Sequence, residues 1–137
     1  MPAHSEIFPW PSYYGHYDFF EARMTSHSRV ISLERLGDGV YEILRTNGNP
    51  IKIFICDCYS FGVAEYMEVL NRIGHVDAII INSNWCGYSL DVKHYCMECN
   101  VGVFNIGDFM AALNRRSVWT YLNSTEVEDF KKMGWIR

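Results

Sequence analysis

The order of segments in this 137-residue chain predicts an α/β fold built on a mixed sheet. Three observations carry that expectation. Arg29–Leu36, Val40–Arg45 and Ile51–Tyr59 are strand-like runs joined by hairpin-length loops, which makes them antiparallel neighbours. A helix-like run, Val63–Ile73, then leads into a strand, Val76–Ser83, and a second helix–strand pair ends in Val101–Ile106, so parallel crossovers follow the meander. Within the fourth strand Ala78-Ile79-Ile80-Ile81 is an unbroken apolar run, the pattern of a strand buried on both faces.

Element by element, residues 1–16 hold three of the four prolines and read as an irregular arm, followed by a short helix near Tyr17–Met24. Gly37-Asp38-Gly39 turns the chain between the first two strands, and Thr46-Asn47-Gly48-Asn49-Pro50 is a strong hairpin loop. Ser60 stands ahead of a helix whose apolar positions Val63, Met67, Leu70 and Ile73 recur at helical spacing, and Gly74 supplies its stop. Ser89 is placed to cap the next helix, with Asp91 in its first turn. Gly107-Asp108 leads into Phe109–Leu113, and Thr125-Glu126-Val127-Glu128 is a capping box for a C-terminal helix over 125–134.

The whole chain, 1–137, reads as one domain without repeat or linker. Its 49% hydrophobic and 20% charged residues exclude the disordered class. A net charge of −4 removes the overall basic footprint of nucleic-acid modules, leaving only a local patch from Lys93, Arg115, Arg116, Lys131, Lys132 and Arg137. No secretory signal pattern and no apolar run of membrane-span length is visible, so a cytoplasmic protein without a membrane partner is expected. Five cysteines, an odd number, fit reduced thiols better than a disulfide framework. Trp10, Tyr13, Tyr14, Tyr17, Phe19 and Phe20 crowd the N-terminus and are expected to cover one sheet face, the sharper alternative being a surface that stacks bases or docks a partner.

Cys96-x-x-Cys99 could be half a metal site completed by Cys56, Cys58, Cys86, His94 or His75. Spacing favours a packing role, because Val92, Tyr95, Cys96 and Cys99 fall at i, i+3, i+4 and i+7, the core stripe of a helix.

The stretch Ile80-Ile81-Asn82-Ser83, then Tyr88-Ser89, Val92 and Tyr95, then Val103-Phe104-Asn105-Ile106-Gly107 resembles the corresponding part of Mrr-type domains of the restriction-endonuclease-like, PD-(D/E)XK superfamily. The likeness covers about 76–113. A helix, a three-strand meander and helix–strand units are the core of that fold, so the resemblance implies a three-layer sandwich. Such nucleases hold a divalent cation, Mg2+, between two carboxylates, with an adjacent lysine that orients the nucleophile. Carried over by position, Asp38 and Asp57 are the metal ligands, with Glu21 or Glu42 as extra carboxylates, and Tyr59 stands in the lysine position. A neutral tyrosine cannot replace an ammonium.

The resemblance therefore implies a degenerate nuclease-fold domain without a resident cofactor. It would act through binding a protein partner or nucleic acid in a nucleic-acid-processing or phage-defence context, with homo-oligomers allowed. One alternative is an active Mg2+-dependent endonuclease with a displaced lysine, drawn from Lys52 or Lys93. Another, from a different class, is a small α/β enzyme or sensor that binds a metabolite where the parallel strands end. On either binding reading the expected contacts are Asn82, Ser83, Trp85 and Tyr88, with Trp85 as aromatic anchor. Turn chemistry is the plain account of Asn82 and Ser83.

Overall fold

The computed structural model describes residues 7–12, 14–82 and 86–136. Helix α1 (Tyr14–Thr25) precedes strands β1 (Val30–Gly37), β2 (Val40–Arg45) and β3 (Ile51–Cys56). Then come β4 (Ser60–Phe61), α2 (Val63–Arg72), β5 (Ala78–Ile81), β6 (Gly87–Tyr88), α3 (Leu90–Glu98) and β7 (Gly102–Phe104). Helix α4 (Ile106–Ala112), a 3-10 turn at Val118–Thr120 and α5 (Ser124–Met133) complete the chain.

The main sheet runs β1-β2-β3-β5-β7. Strands β1, β2 and β3 pair antiparallel, with Val40 opposite Phe54, and β5 and β7 continue parallel, with Ile53 opposite Ala78 and Ile79 opposite Val103. The α/β class, the mixed sheet and the antiparallel meander are as the sequence predicts. Among the described residues no helix is long and apolar enough to cross a membrane.

Helices pack on both faces. Phe54, Cys56, Ile79, Ile81 and Val103 meet Tyr66 and Val69 of α2 and Val92 and Cys96 of α3. Tyr41, Ile43, Ile53, Ile55 and Ile80 lie with Phe20 and Met24 of α1 and Phe109 and Ala112 of α4. That double cover is why every position of β5 is buried and none alternates to a polar residue. Each such aliphatic or aromatic side chain contributes about 1.5–3 kcal/mol by leaving water.

The N-terminal aromatics do not share one face. Phe8 and Trp10 join the core beside α2 and α3, whereas Tyr17 and Phe20 join the opposite core. The arm therefore passes around the end of β3 between the two, and this path positions the candidate site.

Boundaries differ where side chains outside the periodic pattern decide them. β3 ends at Cys56 rather than Tyr59, because the Asp57 N–H bonds to the Trp10 carbonyl (2.8 Å). The cap of α2 is Gly62, not Ser60, and Glu65 reaches back to accept from the Gly62 N–H (2.9 Å). Asn123, not Thr125, opens α5, since its side chain takes the Glu126 N–H (2.8 Å) while Glu126 accepts from the Asn123 N–H (3.1 Å). Ser89 caps α3 through the Val92 N–H as expected, and Gly134 ends α5 at φ 76.

Candidate functional site

Parallel pairing brings the carboxyl ends of β3, β5 and β7 to one edge of the sheet, and antiparallel β2 begins at that edge. The β1–β2 turn is held there by Gly39. Its carbonyl accepts from the Ile55 N–H (2.8 Å), its φ is +85, and a Cβ would sit 2.5 Å from the Ile55 oxygen. Only glycine allows that approach. The turn thus sets Asp38, itself at φ 55, on the same edge as Asp57.

The two carboxylates nevertheless have different surroundings. Asp38 is exposed on the rim of an open cleft of about 320 Å3, shared with Pro11, Tyr17, Arg35 and Tyr41. Asp57 has no solvent exposure at all. Its Oδ1 accepts from the Ser12 hydroxyl (2.9 Å), and its Oδ2 lies 3.2 Å from His16 Nδ1. Asn82, at the end of β5, donates from Nδ2 to Ser12 Oγ (3.4 Å). Both carboxylate oxygens thus meet the N-terminal arm and the start of α1, which satisfies the rule that a buried anion must be paired and hydrogen-bonded. Trp10 adopts a left-handed φ of 47 at this point, a conformation costing on the order of 1–3 kcal/mol, and burial of its ring within the core offsets it.

Chemically, this is an anchor. The Ser12 hydroxyl donates to a carboxylate rather than to an imidazole, so the base-activated serine of a catalytic triad is not assembled. A carboxylate bound to a ring nitrogen orients His16, whose side chain is about one-third exposed at 32%.

Neither lysine candidate stands beside Asp57. Lys52, on β3, precedes it by five positions, roughly 16 Å of extended chain, and lies opposite Glu42. Lys93 is fully buried; its ammonium donates to the Val103 carbonyl, lies 3.7 Å from Glu126 Oε1 and sits 3.9 Å from the Phe104 ring centroid. Burial pulls the Lys93 ammonium down to about 8, against the opposing pull of Glu126. Strand β7 ends the sheet, and the Gly102 N–H is bonded inward to Asp77, so Val103 faces outward and Lys93 caps its edge carbonyl.

The extra carboxylates are also occupied or remote. Glu21 accepts from the Tyr41 hydroxyl (2.6 Å) and from Arg35 Nε (2.9 Å). Burial works to raise its carboxyl, but these bonds outweigh that and hold it below the ordinary value. Glu42 points to solvent on β2. Among the described residues no three His, Cys, Asp or Glu side chains converge as a metal site.

Of the expected binding residues, Asn82 belongs to the Asp57 network, and Ser83 and Trp85 lie outside the described residues. The Tyr88 hydroxyl donates to Glu126 Oε2 (2.8 Å), and burial together with that carboxylate raises it well above an ordinary phenol. Tyr59 is 53% exposed. It is fixed by a short parallel pair, β4 with β6, in which the Gly87 N–H bonds to the Tyr59 carbonyl (3.2 Å).

The cysteine stripe is half right. Cys96 is buried, and desolvation raises its thiol to about 12, whereas Cys99 is exposed as the residue that ends α3 and Tyr95 is 40% exposed. No family model, curated protein or solved structure matches this chain.

Proposed function

We propose that this chain is a catalytically silent, nuclease-like α/β domain that acts by binding a protein partner. The order of helix, antiparallel meander and parallel helix–strand units supports the nuclease-like scaffold. The observation that carries the silence is the environment of Asp57: fully buried, with Ser12 on one carboxylate oxygen and His16 against the other. A divalent cation needs carboxylate oxygens facing an open, hydrated site. Tyr59 in the lysine position and the enclosed Lys93 leave the scissile-phosphate chemistry without its ammonium. The net charge of −4 favours a protein partner over a phosphate backbone.

The test is a cleavage series on single- and double-stranded DNA and RNA with Mg2+ or Mn2+. No turnover above background is the expected outcome. Robust metal-dependent cleavage that disappears in Asp57→Asn overturns the proposal.

A further inference from the structure

Beside the degenerate position a cleft of about 250 Å3 opens between the N-terminal arm and the first turn of α2. Trp10, Cys58, Tyr59, Ser60 and Glu65 line it. Trp10 is held rigidly, its ring edge-on to Phe61 at 6.1 Å. Tyr59 contributes a ring left largely in water on a backbone pinned by the β4–β6 pair. Glu65 contributes a carboxylate whose Oε1 is fixed by the Gly62 N–H. Among the described residues no lysine, arginine or histidine lines the cleft, and Glu65 has no ion-pair partner.

With Trp10 buried as the floor, the carboxylate of Glu65 and the exposed ring of Tyr59 attract the same kind of ligand, a cation with an apolar stem. The volume lies below the roughly 300–1,000 Å3 of pockets for drug-sized or cofactor-sized ligands, so the space suits one side-chain head rather than a nucleotide. We propose that this cleft binds an alkylguanidinium or alkylammonium group, as carried by an arginine or lysine side chain of a partner protein or by a free amine. The inference rests on the binding role argued above and names the chemistry that such a partner presents. In this reading Tyr59 converts the lysine position of a nuclease into one wall of a cation-binding cleft.

The test titrates the full chain with Nα-acetyl-arginine methylamide, agmatine and the neutral isostere Nα-acetyl-citrulline methylamide, followed by amide shifts in 1H–15N spectra. Saturable shifts confined to the Tyr59–Phe61 segment and the start of α2 are expected for both cations, with citrulline weaker by about tenfold or more. Glu65→Gln keeps the helix cap, because a glutamine oxygen still accepts from the Gly62 N–H, and is expected to weaken the cations by about tenfold. Tyr59→Ala, at an exposed ring, does the same without loss of fold. Tighter binding of the arginine derivative assigns the cation to a protein partner; tighter binding of agmatine assigns it to a free amine. Equal binding of citrulline, absence of saturable shifts, or undiminished affinity in Glu65→Gln overturns the inference. Such a failure leaves the silent-nuclease reading standing, since only metal-dependent cleavage removes that.

Discussion

Replacing Asp57 with alanine is expected to lower the free energy of unfolding by about 3–5 kcal/mol, the usual cost of removing one partner from a buried, hydrogen-bonded charge network. The substitution leaves the buried Ser12 O–H without its acceptor and takes from His16 the carboxylate that orients it. It also leaves a void at the end of β3. Asp57→Asn keeps an acceptor for Ser12 and loses only the charge, so it falls between wild type and Asp57→Ala. Ser12→Ala removes one hydrogen bond and costs about 1 kcal/mol. Urea unfolding of the three variants orders them. A catalytic carboxylate behaves in the opposite way, because functional groups are often held at some expense of stability and their removal is neutral or stabilising. An Asp57→Ala protein as stable as wild type would therefore contradict the anchoring role.

The second large effect concerns Lys93. Its ammonium titrates near 8 in the folded chain because it is buried, below the ordinary lysine value of 10.5. Between those two pH values the unfolded chain binds more protons than the folded one, so folding is disfavoured below pH 8 and gains as pH rises from 8 toward 10.5. Wild type compared with Lys93→Met isolates this contribution. The same pH range also ionises thiols in the unfolded chain, and Cys86 and Cys96, raised by burial to about 11 and about 12, pull stability down above pH 9 in both proteins. The difference in unfolding free energy, wild type minus Lys93→Met, is expected to rise on the order of 3 kcal/mol across the window. A flat difference would mean that Lys93 is solvated in the folded protein.

Much of the fold was legible because it follows from periodicity. The unbroken Ala78–Ile81 run, the turn at Gly37-Asp38-Gly39 and the Ser89 cap each state locally what the chain does globally, and the antiparallel pairing of the first three strands with parallel strands after them follows from connection lengths. Elements fixed by single side chains were less legible. Asn123 outcompetes Thr125 as a cap because Glu126, three residues on, can return the bond. The β4–β6 pair is only two residues per strand, too short to show alternation.

The site itself was half legible. Asp38 and Asp57 do reach one sheet edge, since a hairpin of that length demands it. What Asp57 touches there was not. Ser12 and His16 lie 45 and 41 positions away, in an arm and a helix start with no pattern that points to β3. Lys93 lies on the buried side of α3 with Val92 and Cys96, and the Val103 carbonyl of the edge strand β7, the Glu126 carboxylate and the Phe104 ring, all distant in sequence, explain why an ammonium is buried there.

The most direct test of the account is a Mn2+ titration of the wild-type chain, read by paramagnetic broadening of its amide signals. With both Asp57 oxygens engaged by the protein, no saturable, localised broadening is expected around residues 55–60 and Asn82 at millimolar Mn2+. Saturable broadening centred on the ends of β3 and β5, present in wild type and lost in Asp57→Asn, would show that Asp57 opens to a metal ion and would contradict the account.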